Sequence, residues 1–389
     1  MIKIALRNNL KYLLQLLIFN VLRDTENKIL IYYYEFDSLI FMPLMFLGEF
    51  FAGLIIFSYQ RKFLIKYKND GDKQMKFKSI ALIKAKRFTT TNIGGTKIFF
   101  LIFFVASFDF VQFMISLYTP KFVNVSGSIK SRVAGFLTIF DALFYYYVLR
   151  LPIFRHQLFS LIVIGSCSLI VIISEFFFQK IDIFLTYGQF ILVYILTFVV
   201  QFCSAMVDST EKYLFENKNL NPFKVLMFEG FFGFILSFLH GIFHSPFVEI
   251  TNFYKDKPTS DFVILIFALI IYIILSGLKN TFRVSTTKCY TPMTTTFLDY
   301  ILNPLYIIYF FARAEDFLID GKRNYVYFFL NLIIAFIISF FGFVYNEFIV
   351  LFCCQLDIET HLQISGRSEK DEINAHLDDL DTENDDIEQ

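Results

Sequence analysis

Apolar runs of membrane length recur along this chain, separated by short polar stretches. A helix that crosses the hydrocarbon core needs about 20 mostly apolar residues, because only internal backbone bonding is available there. Runs centred on residues 38–58, 98–118, 122–149, 158–178, 186–207, 223–243, 262–283, 293–311 and 325–352 meet that test. The shorter stretch KYLLQLLIFNVL follows Lys3 and Arg7 and ends at Arg-Asp-Thr-Glu-Asn-Lys, with no small-residue cleavage site. It reads as a first span over residues 2–22 rather than a signal peptide. The pattern therefore predicts an all-α membrane protein with ten transmembrane helices and both termini on one side. The basic 59–92 loop and the turn with Arg150, Arg155 and His156 fall on that same side, which the positive-inside rule places in the cytosol.

Composition agrees and removes several classes. Hydrophobic residues make up 56% of 389 and charged residues 18%, and the mean hydropathy is +0.57, so a soluble globular fold is excluded. The formal charge is zero, yet the segment Arg61 to Arg87 is basic and the tail after Leu356 is acidic and free of aromatics. Such a tail is expected to be solvated and disordered. The five cysteines show no metal or disulfide spacing. Cys353 and Cys354 at a membrane edge read as small apolar residues or as palmitoylation sites. No Walker-type glycine loop or nucleophile elbow occurs, and His240 and His244 share a helical face without a carboxylate cluster. No enzyme activity, cofactor, metal or nucleic-acid partner is expected, and an ATP-driven pump is excluded.

Two motifs recur in the same order. Glu49, Phe51 and Gly53 in MFLGEFFAGLIIFS reappear 180 positions later as Glu229, Phe231 and Gly233 in MFEGFFGFILSF. Tyr118-Thr119-Pro120 reappears as Tyr290-Thr291-Pro292, 172 positions later. Two halves are predicted, residues 1–178 and 179–352, followed by the tail 353–389. With five helices in each, an odd number, the second half enters the membrane inverted, an arrangement that places a ligand site near mid-membrane between halves.

The residues MFLGEF, EKYLFENKNLNPFKVLMFEGFFGFIL (211–236) and the Arg-bearing SIKSRVAGFLTIF resemble the drug/metabolite transporter superfamily. The likeness is to the F-type, nucleotide-sugar-transporter-like members of solute carrier family 35, over about residues 36–350. The resemblance implies an EamA-like fold of two inverted five-helix repeats and alternating access to a central polar cavity. Where such relatives tend to have Gln-Met-Leu-Arg-Gly in the fourth helix, this chain has Ser128-Ile129-Lys130-Ser131-Arg132-Val133.

Ionisable residues inside apolar spans cost about 2.5–3.5 kcal/mol each on insertion scales, so they face a cavity or a partner. Glu49 and Glu229 read either as coupling or substrate-ordering groups, or as neutral carboxyls bonded to a neighbouring helix beside the small residues Gly48, Gly53, Gly230 and Gly233. Asp109 and Gln112, three apart, share one face of the third span. Arg132 is the candidate anion anchor with Lys130 as helper, since guanidinium suits bidentate carboxylate or phosphate binding; a structural ion pair with Asp109 or Asp299 is the competing reading. Asn280 and Arg283 share a face, as do Asp299 and Asn303. Arg283 is expected to snorkel toward the cytosol. Pro120, Pro292 and Pro304 are expected to shape helix ends.

The expected function is secondary transport of a polar or anionic organic metabolite, nucleotide-sugar-like compounds included. A non-transporting scaffold or receptor on the same fold, or a membrane-embedded lipid transferase, are the alternatives. The expected partners are the lipid bilayer and a small-molecule solute, with a protein partner for the acidic tail and a homodimer left open. An intracellular membrane is expected: Golgi, endosome, lysosome or mitochondrion.

Overall fold

The computed structural model describes residues 2–4, 10–34, 40–69, 96–122, 135–149, 153–178, 187–218, 220–244, 259–289, 292–313, 318–319, 322–352, 356 and 360. Among them the chain forms α1 (Leu10–Tyr34), α2 (Phe41–Asn69), α3 (Thr96–Phe122), α4 (Gly135–Leu149) and α5 (Arg155–Phe178). It continues through α6 (Tyr187–Glu216), α7 (Pro222–His244), α8 (Thr259–Cys289), α9 (Pro292–Arg313) and α10 (Tyr325–Tyr345). Four short strands accompany them: β1 (Ile2–Ile4), β2 (Leu318–Ile319), β3 (Lys322–Arg323) and β4 (Ile349–Leu351).

Seven of these helices, α2, α3, α5, α6, α7, α8 and α10, are long and apolar enough to cross a bilayer, and α4 is a shorter apolar helix. The outward surface is as greasy as the interior: Phe100, Ile162, Ile195, Phe267 and Val326 are all exposed. Water does not tolerate a continuous surface of that kind, and lipid does. The protein is therefore an integral, multi-pass membrane protein.

Several predicted boundaries move, α2 running on to Asn69 and α6 to Glu216, and three further changes have a clear cause. The first element is not a span over residues 2–22. Residues 2–4 are a strand, and α1 starts at Leu10 and runs straight through the polar stretch that was expected to end it. That stretch satisfies itself within the helix: Arg23 Nη2 pairs with Asp24 Oδ1 at 2.7 Å, and Thr25 Oγ1 donates to the Val21 carbonyl at 2.8 Å. The last span ends at Tyr345, not at residue 352, because the chain turns and enters β4. β4 pairs antiparallel with β1, Ile2 opposite Leu351 and Ile4 opposite Ile349, so the start of the chain lies beside the exit of α10. The third change is internal. Pro304 lies within α9 and not at an end, whereas Pro292 opens that helix, where its missing N–H costs nothing. Residues 123–134, the whole loop 70–95 after α2 and nearly all of the acidic tail are outside the described residues.

Helix starts follow their caps. Asn221 Oδ1 accepts from the Phe223 amide at 2.9 Å ahead of Pro222, and its Nδ2 donates to Gln60 Oε1 at the far end of α2, also at 2.9 Å. Asn324 Oδ1 likewise accepts from the Tyr327 amide at 3.0 Å and opens α10. Replacing Asn324 with alanine orphans that amide and should lower stability by about 1 kcal/mol, read as a modest fall in the thermal midpoint of the purified protein. An unchanged midpoint would remove the cap from the account.

Apolar clusters join the helices, the three largest across α1, α2, α3, α5, α6, α7, α8 and α10. Leu30 of α1, Met45 and Phe46 of α2, and Leu265 and Tyr272 of α8 form one. Leu214 of α6, Val225 and Leu226 of α7, and Ile102 and Val105 of α3 form another, which Val284 of α8 also joins. The third links Leu16 of α1 with Ile164 and Val171 of α5 and Ile334 and Ile338 of α10. His156 of α5 lies 3.3 Å from Glu347 just beyond α10, both buried.

Gly48 of α2 meets Ile273 and Gly277 of α8, and a second close approach joins α2 to α7. Gly53 lies against Phe223 and Met227, while Gly230 and Gly233 lie against Phe46. Positions rise along one helix as they fall along the other, so the two run antiparallel. A Cβ on Gly53 would sit 2.7 Å from the Met227 backbone nitrogen, and one on Gly230 would sit 2.8 Å from the Phe46 carbonyl oxygen. Glycine is required at both because backbone meets backbone there.

Candidate functional site

The α2–α7 crossing has Glu49 and Glu229 at its centre, and both side chains are buried. Glu49 Oε1 accepts a hydrogen bond from Asn280 Nδ2 of α8. Glu229 has no hydrogen-bond partner on either oxygen; Arg283 Nη2 lies 3.7 Å from its Oε1. The two glutamates of the repeated motif thus have different surroundings. One is held by a neutral amide, and the other faces a guanidinium.

Arg283 organises the rest. Its Nη1 donates to Asp208 Oδ1 at 2.9 Å and to Glu211 Oε2 at 3.1 Å, and its Nη2 donates to Glu211 Oε1 at 2.6 Å. The grip on Glu211 is bidentate, the geometry that a planar guanidinium favours. Asp208 and Glu211 stand three apart on one face of α6 and are both buried. The expectation that Arg283 snorkels outward is overturned, because α6 supplies carboxylates within the protein and leaves the guanidinium no reason to seek water.

Asp109 of α3 is buried, accepts from Gln112 Nε2 one turn along, and lies within electrostatic reach of Arg283 and Glu211. Lys279 of α8 reaches Glu49 and Asp109 electrostatically. Next to Glu211, Lys212 turns the other way: its Nζ donates to the Thr287 and Lys288 carbonyls at 2.9 and 3.3 Å and pairs with Glu216 at 2.9 Å. It closes the C-terminal end of α8, where carbonyls lack helical partners.

The expected site residues therefore separate into groups. Glu49, Asp109, Gln112, Glu229 and Asn280 come together around Arg283. Asn303 of α9 is buried with its Oδ1 unpartnered. Lys130, Arg132 and the side chain of Asp299 lie outside the described residues. Three acids were missed. Asp208 and Glu211 fall beyond residue 207, where the hydrophobic run ends, yet α6 continues to Glu216. Asp141, a lone acid in the apolar FLTIFDALF of α4, is fully buried and both its oxygens lack hydrogen-bond partners. The signal that singled out Glu49 was present there too.

Outside the bundle centre, the hydroxyl of Tyr118, from the first Tyr-Thr-Pro, lies 3.1 Å from His240 Nε2 of α7. His240 is half-buried against that ring rather than solvated.

Burial alone does not make such ion pairs stabilising, since the desolvation cost of each charge roughly cancels their attraction. Five helices, α2, α3, α6, α7 and α8, nonetheless direct ionisable side chains to one region, and pairs of that kind in a membrane protein mark solute or ion pathways. Among the described residues no group of His, Cys, Asp and Glu has a metal-holding arrangement. No family model matches the chain and no curated protein is significantly similar to it.

Proposed function

We propose that the protein is a secondary transporter of a polar organic metabolite, built on the drug/metabolite transporter plan of two inverted five-helix halves. The observation that carries this reading is the buried Glu49, Asp109, Asp208, Glu211, Glu229, Asn280 and Arg283 assembly at the antiparallel α2–α7 crossing.

Pairing between helices supports the two halves. If α1 to α5 correspond to α6 to α10, the α1, α2, α8 cluster is the counterpart of the α6, α7, α3 cluster, since the exchange turns one into the other. The α2–α7 and α5–α10 contacts map onto themselves, as elements beside a two-fold axis do. Alternating access then consists of one half rocking against the other about the buried site. With β1 beside β4 at one end of the bundle, the basic loop after α2 favours a cytosolic position for both chain ends, in an intracellular membrane.

Glu49→Gln keeps a side-chain oxygen for the Asn280 bond but removes the acid. In proteoliposomes loaded with a metabolite mixture, wild-type protein should support counterflow of a labelled polar solute, and Glu49→Gln should reduce it at least tenfold while eluting as a monodisperse protein. Wild-type flux equal to that of empty liposomes across nucleotide sugars, organic anions and organic cations would refute the transport reading.

A further inference from the structure

We infer that the solute site is a cation site, and that Asp141 with Asp208 across the α4–α6 seam forms its second, unassigned subsite. This rests on reading the buried assembly as the solute site and names the class of solute it takes: an organic cation bearing N–H donors.

The first support is charge. Glu49, Asp109, Asp208, Glu211 and Glu229 surround Arg283, with Lys279 within reach. Asp141 adds a further acid within electrostatic range of Asp208. Among the described residues acids outnumber bases, in a region where unbalanced charge is costly. A cationic solute would find carboxyl partners there, whereas an anionic one would find Arg283 already engaged by Asp208 and Glu211.

Hydrogen-bond supply is the second, independent support. Asp141 Oδ1 and Oδ2, Glu229 Oε1 and Oε2, and Glu49 Oε2 are buried acceptors with no donor. The side chains of Asp141 and Glu229 are completely buried. Asp208 Oδ1 is already bonded to Arg283, so that guanidinium is spent on the α6 side, and among the described residues Asp141 on the α4 side has no hydrogen-bond donor. An ammonium or guanidinium group supplies several N–H donors together with the missing charge. A bare metal ion is disfavoured because the described acids are not grouped as a metal requires.

The seam is also aromatic. Phe136 meets Phe198 edge to face, and Phe140 and Phe144 both meet Phe202, giving an aromatic ladder along the helices that carry Asp141 and Asp208. Ring faces attract cations and ring edges accept apolar groups.

The test is equilibrium binding by calorimetry to the full-length detergent-purified protein, with three probes of matched shape: phenethylammonium, 3-phenylpropionate and 3-phenylpropanol. Phenethylammonium should bind at least tenfold more tightly than either of the others. Asp141→Asn should weaken it at least tenfold at an unchanged thermal midpoint, and Asp141→Glu should restore part of the loss. Preference for the carboxylate, equal binding of all three or no binding of any overturns the cation assignment. Loss of binding only together with a collapsed thermal midpoint in both variants, or unaltered binding by Asp141→Asn, overturns the subsite. Counterflow in proteoliposomes is read separately, so a transporter of anions would fail here and still pass there.

Discussion

Arg283→Leu should be among the most damaging single substitutions in the molecule. The change leaves Asp208 and Glu211 without the donors they now share at 2.9, 3.1 and 2.6 Å, and Glu229 without the charge 3.7 Å away. Removing one partner of a buried ion pair costs about 3–5 kcal/mol, because the survivors stay buried and uncompensated. Here one cation serves several acids, so the upper end of that range applies. Expected results are poor recovery of monodisperse protein and a large fall in thermal midpoint. Arg283→Lys keeps the charge but cannot hold Glu211 with two parallel bonds, and should fall between the two. The double variant Glu211→Gln, Arg283→Leu separates the explanations: if stranded charge is the cause, neutralising Glu211 recovers part of the loss. A double variant no better than Arg283→Leu would show that the guanidinium acts through packing of its stem and not through its charge.

That arginine also shows what a sequence can and cannot disclose. Glu49, Asp109 and Glu229 were legible because each is an acid far inside an apolar run, and lipid gives such a residue few reasons to exist. Asp109 with Gln112 and Asn280 with Arg283 were legible as pairs, since residues three apart share a helical face. The partner across the helix boundary was not. Glu211 sits past the end of its hydrophobic run, and only the packing of α8 against α6 turns that position into protein interior. Arg283 near a helix end had an apparent exit to water, and its capture by α6 depends on a contact between residues 72 positions apart. The start of the chain misled for a related reason. Hydrophobicity gave Ile2 to Ile4 to the first span, whereas they pair with Ile349 to Leu351 from the opposite end of the sequence. Periodicity reports what one helix wants from its surroundings, and long-range pairing decides which surroundings it meets.

The repeated glycines permit a second large effect. Gly230→Ala adds only a methyl group, and by helix propensity alone it should stabilise by up to about 1 kcal/mol. The methyl carbon, however, would stand 2.5 Å from the Phe50 nitrogen, 2.8 Å from the Phe46 oxygen and 2.9 Å from the Glu49 Cβ. Two of those atoms are backbone, so relief requires α2 and α7 to separate along their whole crossing. Overpacking of this kind costs about 1–3 kcal/mol and at times more, which outweighs the propensity gain. Separation also displaces Glu49, whose Asn280 bond spans to a third helix, so solute binding should fall further than stability does. Gly165→Ala supplies the control. Its added Cβ would meet only the Ile139 Cδ1 at 3.0 Å, the tip of a side chain that can rotate away, and its effect should be neutral or slightly stabilising. Measured side by side in the purified protein, a Gly230→Ala midpoint equal to that of Gly165→Ala would mean that the α2–α7 contact is loose, and would remove the reason for regarding the crossing as the fixed centre about which two halves move.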